Sequence, residues 1–215
     1  FDNIFGVIFQ PTFGKLSDNC HSKLGKRRPF ILLGAPGAGK GTQSEFIKDR
    51  YNLTYISTGQ ILREEMAAET EIGLKVKEII SSGGLASDEI VLSIIENRVT
   101  NNLNSNGFLF DGFPRTVRQA EMLDKLFSDN KLSISTVLSL EVPEDILVER
   151  MLERGKTSGR ADDNIDSIRH RFVEYDNKTK PVLDFYQDKN ILKPINGVGS
   201  IEDIFNNICN TIDSI

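Results

Sequence analysis

Cysteine is almost absent from this chain: Cys20 and Cys209 stand near opposite ends of 215 residues, and neither belongs to a Cys/His pair at metal spacing. That argues against a zinc site or a disulfide framework and for ordinary thiols in a reducing compartment. No stretch reaches the roughly 18 consecutive apolar residues of a membrane helix, and no basic segment precedes an apolar core with a cleavage site, so the expected location is the cytoplasm. Positive charge is not in excess either. Lys and Arg number 26 against 31 Asp and Glu, and the net charge of -5 speaks against a general nucleic-acid binder. An anionic ligand must therefore be met locally. What is present is a globular composition, 39% hydrophobic and 27% charged, with apolar material for the core of one domain or two. Disorder and collagen-like repeats are excluded.

Charge is uneven along the chain. Lys15, Lys23, Lys26, Arg27 and Arg28 outweigh Asp2 and Asp18 in the first thirty residues, whereas the remainder is acidic. The first thirteen residues are mostly apolar and aromatic, and only at Pro29 does a regular alternation of elements begin. From there short apolar runs at Phe30–Leu33, Leu53–Ile56, Phe108–Phe110, Thr136–Val142 and Ile191–Ile195 read as buried strands. Helical stretches separate them, which implies an α/β fold with a five-stranded parallel sheet. Ile90, Val91, Ile94, Ile95 and Val99 fall on one helical face behind Ser87 as N-cap. Ile201, Ile204, Phe205, Ile208 and Ile212 form a second stripe behind Ser200. Both stripes read as core.

Directly after the first strand stands Gly34-Ala35-Pro36-Gly37-Ala38-Gly39-Lys40-Gly41-Thr42, followed by a helical pattern. Glycines let the backbone turn its N–H groups around an anion, the helix N-terminus adds partial positive charge, and Lys40 reaches outer phosphates. The usual phosphate loop has Ser or Thr immediately after the lysine. Here Gly41 takes that place and Thr42 comes one later, which weakens a GTPase or motor reading.

Ser57-Thr58-Gly59 follows the second strand and opens a helix carrying Arg63. Asp111-Gly112-Phe113-Pro114-Arg115 follows the third, with Gln119 one turn on. Both lie at carboxyl ends of strands, where ligands bind in a doubly wound sheet, so Arg63 and Arg115 are placed to grip a second phosphate. Further on, Arg150 and Arg154 share a helical face, Lys156 to Asn164 reads as a polar hinge-like loop containing Arg160, and Arg171 lies in the next helix. Guanidinium groups crowded in this way need an anion.

Gly-Ala-Pro-Gly-Ala-Gly-Lys-Gly-Thr-Gln, Ser-Thr-Gly, Asp-Gly-Phe-Pro-Arg and Ser-Gly-Arg-Ala-Asp-Asp-Asn, in this order, resemble the adenylate kinases among the nucleoside monophosphate kinases, from about Arg28 to the C-terminus. The resemblance implies a P-loop three-layer fold, a small helical AMP-binding domain over residues 58–87, a short mobile lid over 155–164, and reversible transfer of a phosphoryl group between ATP and AMP to give two ADP. It implies that Gly37, Ala38, Gly39, Lys40, Gly41 and Thr42 hold the ATP phosphates, with Arg154 and Gly199 near the adenosine. It matches Thr58, Gly59, Arg63, Leu85, Ala86, Gly112, Phe113, Arg115 and Gln119 to the AMP side. Lys40, Arg115, Arg150, Arg160 and Arg171 match the catalytic cations, of which Arg160 and Arg171 also face AMP. Asp111 matches an acid that holds magnesium through water. The lid carries no cysteine and so resembles the short form without structural zinc. A monomer is implied as well.

Such chemistry asks for in-line positioning, neutralised oxygens and excluded water rather than a general base. His21, in the leader, and His170, between Arg169 and Arg171, are accordingly expected to play no catalytic part. A UMP/CMP kinase shares most of these motifs. Thr58 and Gln119 favour AMP, because the resembling pyrimidine enzymes carry alanine at the first position and usually differ at the second. A catalytically dead nucleotide sensor conflicts with the full arginine set.

The leader has its own likeness. Asp2 to Pro11, followed by Gly14-Lys15-Leu16-Ser17-Asp18 and Gly25 to Phe30, resembles the end of a membrane helix and the basic loop of a major facilitator sugar transporter. Its apolar part is too short to span a bilayer. Three readings stand open: a fused or misassigned reading frame, a membrane-surface or partner-binding arm, and a solvated extension without a role. The first and last are preferred, since exposed Phe5, Phe9 and Phe13 are an aggregation hazard unless they pack on the rest of the chain.

Overall fold

The computed structural model describes residues 28–158 and 162–215. The expectations for the leader, for Cys20 and His21, and for Arg160 lie outside the described residues.

The five apolar runs form strands β1 (Phe30–Gly34), β2 (Thr54–Ser57), β3 (Phe108–Asp111), β4 (Thr136–Glu141) and β5 (Leu192–Asn196). All pair in parallel, in the order β2-β3-β1-β4-β5. The strands β1, β2 and β3 each run one residue beyond the apolar stretch, because the ladder pairs Gly34 with Leu140 and Ser57 with Asp111 after side-chain hydrophobicity has stopped. That extra step puts polar groups on the carboxyl edge of the sheet.

Strand side chains alternate between two cores, as a sheet covered on both faces requires. Ile31, Leu33, Phe108, Phe110 and Val137 face helices α4 (Asp88–Thr100), α5 (Val117–Asp129) and α8 (Lys180–Asp188). Phe30, Leu32, Leu109, Leu138 and Leu140 face α1 (Lys40–Tyr51) and α9 (Ile201–Asp213). The result is the three-layer arrangement expected. Helices α2 (Thr58–Ala67) and α3 (Glu71–Ser81) form a hairpin that extends the first layer, and α6 (Glu144–Ser158), α7 (Ile165–Glu174) and a π-helical turn at Tyr175–Thr179 complete the chain.

Sequence caps set where the helices start. Ser87 and Ser200 accept from the backbone N–H of Ile90 and Asp203, and Ser57, Thr70, Thr116 and Asn164 cap α2, α3, α5 and α7 in the same way. In the α4 stripe Val91, Ile95 and Val99 are buried, with Ile90 and Ile94 partly so. In α9, Ile204, Phe205, Ile208 and Ile212 are buried, each contributing roughly 1.5–3 kcal/mol of apolar burial. Ile201 departs from the expected stripe and is 49% exposed. It occupies the first helical position, before α9 reaches the sheet. The polar loop expected from Lys156 also starts later, since α6 continues through Ser158, with Lys156 paired to Glu153 and the Thr157 hydroxyl donating to the Arg154 carbonyl. Local helical bonding holds these polar residues where their composition alone suggests a turn.

Among the described residues no helix is long and apolar enough to cross a membrane. Cys209 is buried in the core between the sheet and α9.

Candidate active site

The loop between β1 and α1 is shaped by glycine. Gly37 and Gly39 have φ of 85° and 87°, and a Cβ on Gly37 would stand 2.8 Å from the Leu147 carbonyl oxygen. Gly39 caps α1 without any side-chain bond, so no hydroxyl or carboxylate of a cap competes for the first N–H groups of that helix. The Ala38 methyl is buried in the core, which leaves its backbone as the part facing the loop. Lys40 Nζ donates to the carbonyls of Gly34 (2.8 Å) and Ala35 (2.9 Å), folded across its own loop. Burial pushes its ammonium down to about 8; Asp111 opposes this, while Arg115, Arg171 and Arg154 add to it. Gly41 and Thr42 are exposed beside it.

The loop after β3 supplies the facing half. Arg115 Nε donates to the Gly112 carbonyl at 2.7 Å; the Gly112 φ of 70° favours glycine, and a Cβ there would also lie 2.9 Å from Arg115 Nη2 and displace the guanidinium. Burial lowers the Arg115 guanidinium to about 10, with Arg171 and Arg63 adding to the effect and Asp111 opposing it. Arg63 converges on the same spot: a Cβ on Gly59 would sit 3.3 Å from Arg63 Nη1 and 3.6 Å from Arg115 Nη2. The buried Thr58, which lines the second cavity, donates its hydroxyl to the Gly112 carbonyl at 2.8 Å and keeps the oxygen lone pairs as acceptors. Gln119 is 2% exposed, and its Oε1 accepts from the Arg115 N–H at 2.7 Å.

Two adjoining cavities join these halves. One is lined by Lys40, Gly112, Arg115 and Arg171. The other is lined by Thr58, Gly59, Arg63, Leu85, Ala86, Gly112 and Gln119, together with Arg115 and Arg171 again. Phe113, Arg150, Arg154 and Gly199 are among the expected residues that line neither cavity. Phe113 is fully buried against Phe110, at 6.2 Å between ring centroids, so its side chain has no surface to offer a ligand. Arg150 donates to the Gly197 carbonyl at 3.2 Å and lines a separate hollow with Glu149, Glu153, Arg154 and Thr157. Gly199, with φ of 135°, lies exposed on the loop between β5 and α9, near Arg150's contact rather than in either cavity.

Several participants were not singled out by sequence reasoning. The Asp163 side chain is completely buried and accepts from Arg154 Nε (2.7 Å), Arg154 Nη2 (2.6 Å) and Arg171 Nη1 (3.2 Å). Asp162 accepts from Arg171 Nη1 at 2.9 Å. Both acids stood within a quoted motif, which was the available signal. Tyr55 had none. Its hydroxyl donates to Asp111 Oδ2 at 2.9 Å, and burial, followed by Asp111, raises its pKa. The buried Thr179 hydroxyl donates to the Arg115 carbonyl at 3.0 Å.

The residues present suit magnesium. Asp111 is 8% exposed at the end of β3, and Gly41 keeps the space beside it open, since a Cβ there would stand 3.8 Å from Asp111 Oδ2. One carboxylate with hydroxyl and phosphate oxygens is a hard-oxygen set of the kind this ion takes alongside retained water. No cluster of three or more His, Cys, Asp or Glu suited to a metal occurs among the described residues.

Comparison with known proteins agrees with this geometry. The family model described as Adenylate kinase matches residues 32–191. A model described as MFS/sugar transport protein matches residues 2–42, overlapping the first strand and the glycine loop. The chain is 43% identical over 187 residues to an adenylate kinase of Flavobacterium psychrophilum, covering 86% of this chain and 98% of that one. It is 44% identical over the same length and shares to one of Flavobacterium johnsoniae. It is 43% identical over 186 residues to one of Bacteroides thetaiotaomicron, again covering 86% and 98%. A glycine loop with its lysine, sharing one cavity with the partly buried Arg115 and Arg171, thus coincides with extended sequence identity, and the chain belongs to the adenylate kinase family.

Proposed function

We propose that this cleft transfers a phosphoryl group reversibly between ATP and AMP, with the glycine loop as donor site and the Thr58 to Gln119 side as acceptor site. The observation that carries the assignment is the convergence of Lys40, Arg115 and Arg171 on one cavity that continues into the second. Lys40 and Arg115 are cations held where their charged forms are disfavoured, so bound phosphates relieve the cost of keeping them ionised. As phosphates enter, Lys40 Nζ exchanges the Gly34 and Ala35 carbonyls for phosphate oxygen. The loop N–H groups of Gly37 to Thr42 bind the ATP phosphates. Arg63 and Arg115 grip the AMP phosphate, and Arg171 and Arg160 neutralise the group in transit.

Arg154 and Gly199 border ATP, while Arg150 turns from Gly197 toward the phosphates. Leu85 and Ala86 pack beside the AMP base, Gly59 and Gly112 leave room for its phosphate, and Phe113 contributes through its backbone. Magnesium bound with ATP neutralises phosphate oxygens and orients them; Asp111 would hold it. Residues 58–87 act as the AMP-binding subdomain and residues 155–164 as the short lid, whose closure excludes water and so favours transfer over hydrolysis. The catalyst works as a monomer in the cytoplasm, and the leader before Arg28 takes no part.

A coupled assay of ADP formation from MgATP with AMP, UMP, CMP and GMP, on the full chain and on one beginning at Arg28, tests this. Strong preference for AMP in both is expected. Preference for UMP or CMP would overturn the acceptor assignment, and activity only after truncation would overturn the passive role of the leader.

A further inference from the structure

The acceptor side contains a carboxylate that the chemistry above does not use. Asp88, the first residue of α4, accepts from Gln119 Nε2 at 2.7 Å. Its other side-chain contacts are longer, from the Thr116 hydroxyl at 3.4 and 3.5 Å. Neither partner is charged. At the opposite end of the same amide, Gln119 Oε1 accepts from the Arg115 backbone N–H at 2.7 Å.

A glutamine amide has two orientations that fill the same space but exchange a donor for an acceptor. Here the two neighbours have one role each. An ionised carboxylate can only accept and a backbone N–H can only donate. Turning the amide over would set Oε1 against the carboxylate and the amino group against the N–H, replacing two attractive contacts with two repulsive ones. In the orientation observed, one N–H and one lone pair remain, and Gln119 lines the acceptor cavity with Thr58 and Ala86. The Thr58 hydroxyl adds an acceptor there, its proton being committed to Gly112.

We infer that Asp88 is a positioning residue for nucleobase choice: it holds the Gln119 amide in one orientation and thereby selects bases that carry an amino donor beside a ring-nitrogen acceptor over bases that carry an oxo group beside a ring N–H. This deepens the AMP assignment and rests on it. AMP and IMP isolate the effect, because the two purines have the same shape and differ in the donor and acceptor order on that edge. An unlocked amide serves both. Asparagine at position 88 either accepts through its oxygen or donates through its amino group, so Asp88→Asn removes one half of the lock while Arg115 keeps the other. Asp88→Ala removes that half outright.

The experiment measures kcat/KM for AMP and for IMP, with MgATP, on the full-length wild type, Asp88→Asn and Asp88→Ala, below the melting onset of all three. The ratio of AMP to IMP is expected to fall by about tenfold in each variant, the scale of one charge-assisted hydrogen bond, with IMP turnover retained or raised. Equal losses for AMP and IMP would overturn the inference and reduce Asp88 to a favourable acid in the first turn of α4. An unchanged ratio with unchanged rates would overturn it as well. A wild type that uses IMP or UMP as readily as AMP would instead refute the acceptor assignment on which the inference rests.

Discussion

Asp163→Asn is the most direct perturbation of the charge network. The carboxylate is completely buried and receives both bonds of the Arg154 fork as well as one from Arg171. An asparagine of the same size turns an amino group toward one of these guanidinium groups and leaves buried positive charge unbalanced close to Lys40 and Arg115. Breaking a fully buried ion pair costs about 3–5 kcal/mol. Arg154 keeps 33% of its side-chain surface and Arg171 19%, so water returns part of that, and a loss of about 2 kcal/mol is expected. For a domain of this size that corresponds to a fall in Tm of about 4–8 °C. Thermal unfolding followed by circular dichroism measures it, and added phosphate should recover part of the loss because an anion replaces the missing carboxylate. With Arg154 and Arg171 less well held, kcat should also drop, by about ten- to hundredfold. A Tm within about 1 °C of wild type, with phosphate making no difference, would refute the claim that this carboxylate anchors the arginines.

Lys40 makes two opposite pH dependences. Its folded pKa is lowered from 10.5 to about 8, so between those values the unfolded chain binds more protons and this group makes the ligand-free protein more stable as pH rises. Affinity for ATP should move the other way, weakening above pH 8 with proton uptake on binding; calorimetry in two buffers of different ionisation heat reads both, and affinity constant from pH 7 to 9.5 would contradict it. Gly73→Ala should destabilise by about 1–3 kcal/mol, because a Cβ there would stand 2.0 Å from the Glu65 carbonyl oxygen where α2 and α3 cross; denaturant unfolding with an unchanged midpoint would show that the helices separate freely. Gly112→Ala combines a φ of 70° with the contact to Arg115 Nη2 and should raise KM for AMP far more than KM for ATP, which steady-state kinetics with each substrate varied will show.

Much of the site was legible because its requirements are local. The glycine loop needs positive φ within a few residues of a lysine and ahead of a helix, and each of those demands leaves a mark in the sequence between Gly34 and Thr42. Strands buried on both faces must be nearly continuously apolar, which is why β1, β3 and β4 were visible, with ends displaced by a residue where backbone pairing outlasts hydrophobicity at Gly34 and Asp111, whereas the edge strand β5 shows only Leu192 and Ile195 around exposed Lys193 and Pro194. Caps at Ser87 and Ser200 follow from side chains that reach only three residues ahead.

Other features are long-range and left no such mark. Phe113 reads like its motif neighbours, and only the packed sheet shows its ring facing Phe110 in the core. Arg150 and Arg154 share a helical face, yet Arg154 meets Asp163 while Arg150 meets Gly197, a choice made by what α6 packs against. Gln119 shows an amide in the sequence, but which of its ends faces the cavity depends on Asp88, 31 residues away, and on a backbone N–H. Residue type and spacing thus decided the fold, the phosphate loop and the family. Tertiary structure alone decided which cations converge and which polar atoms remain unspent, because hydrogen-bond partners distant in sequence are selected by packing rather than by period.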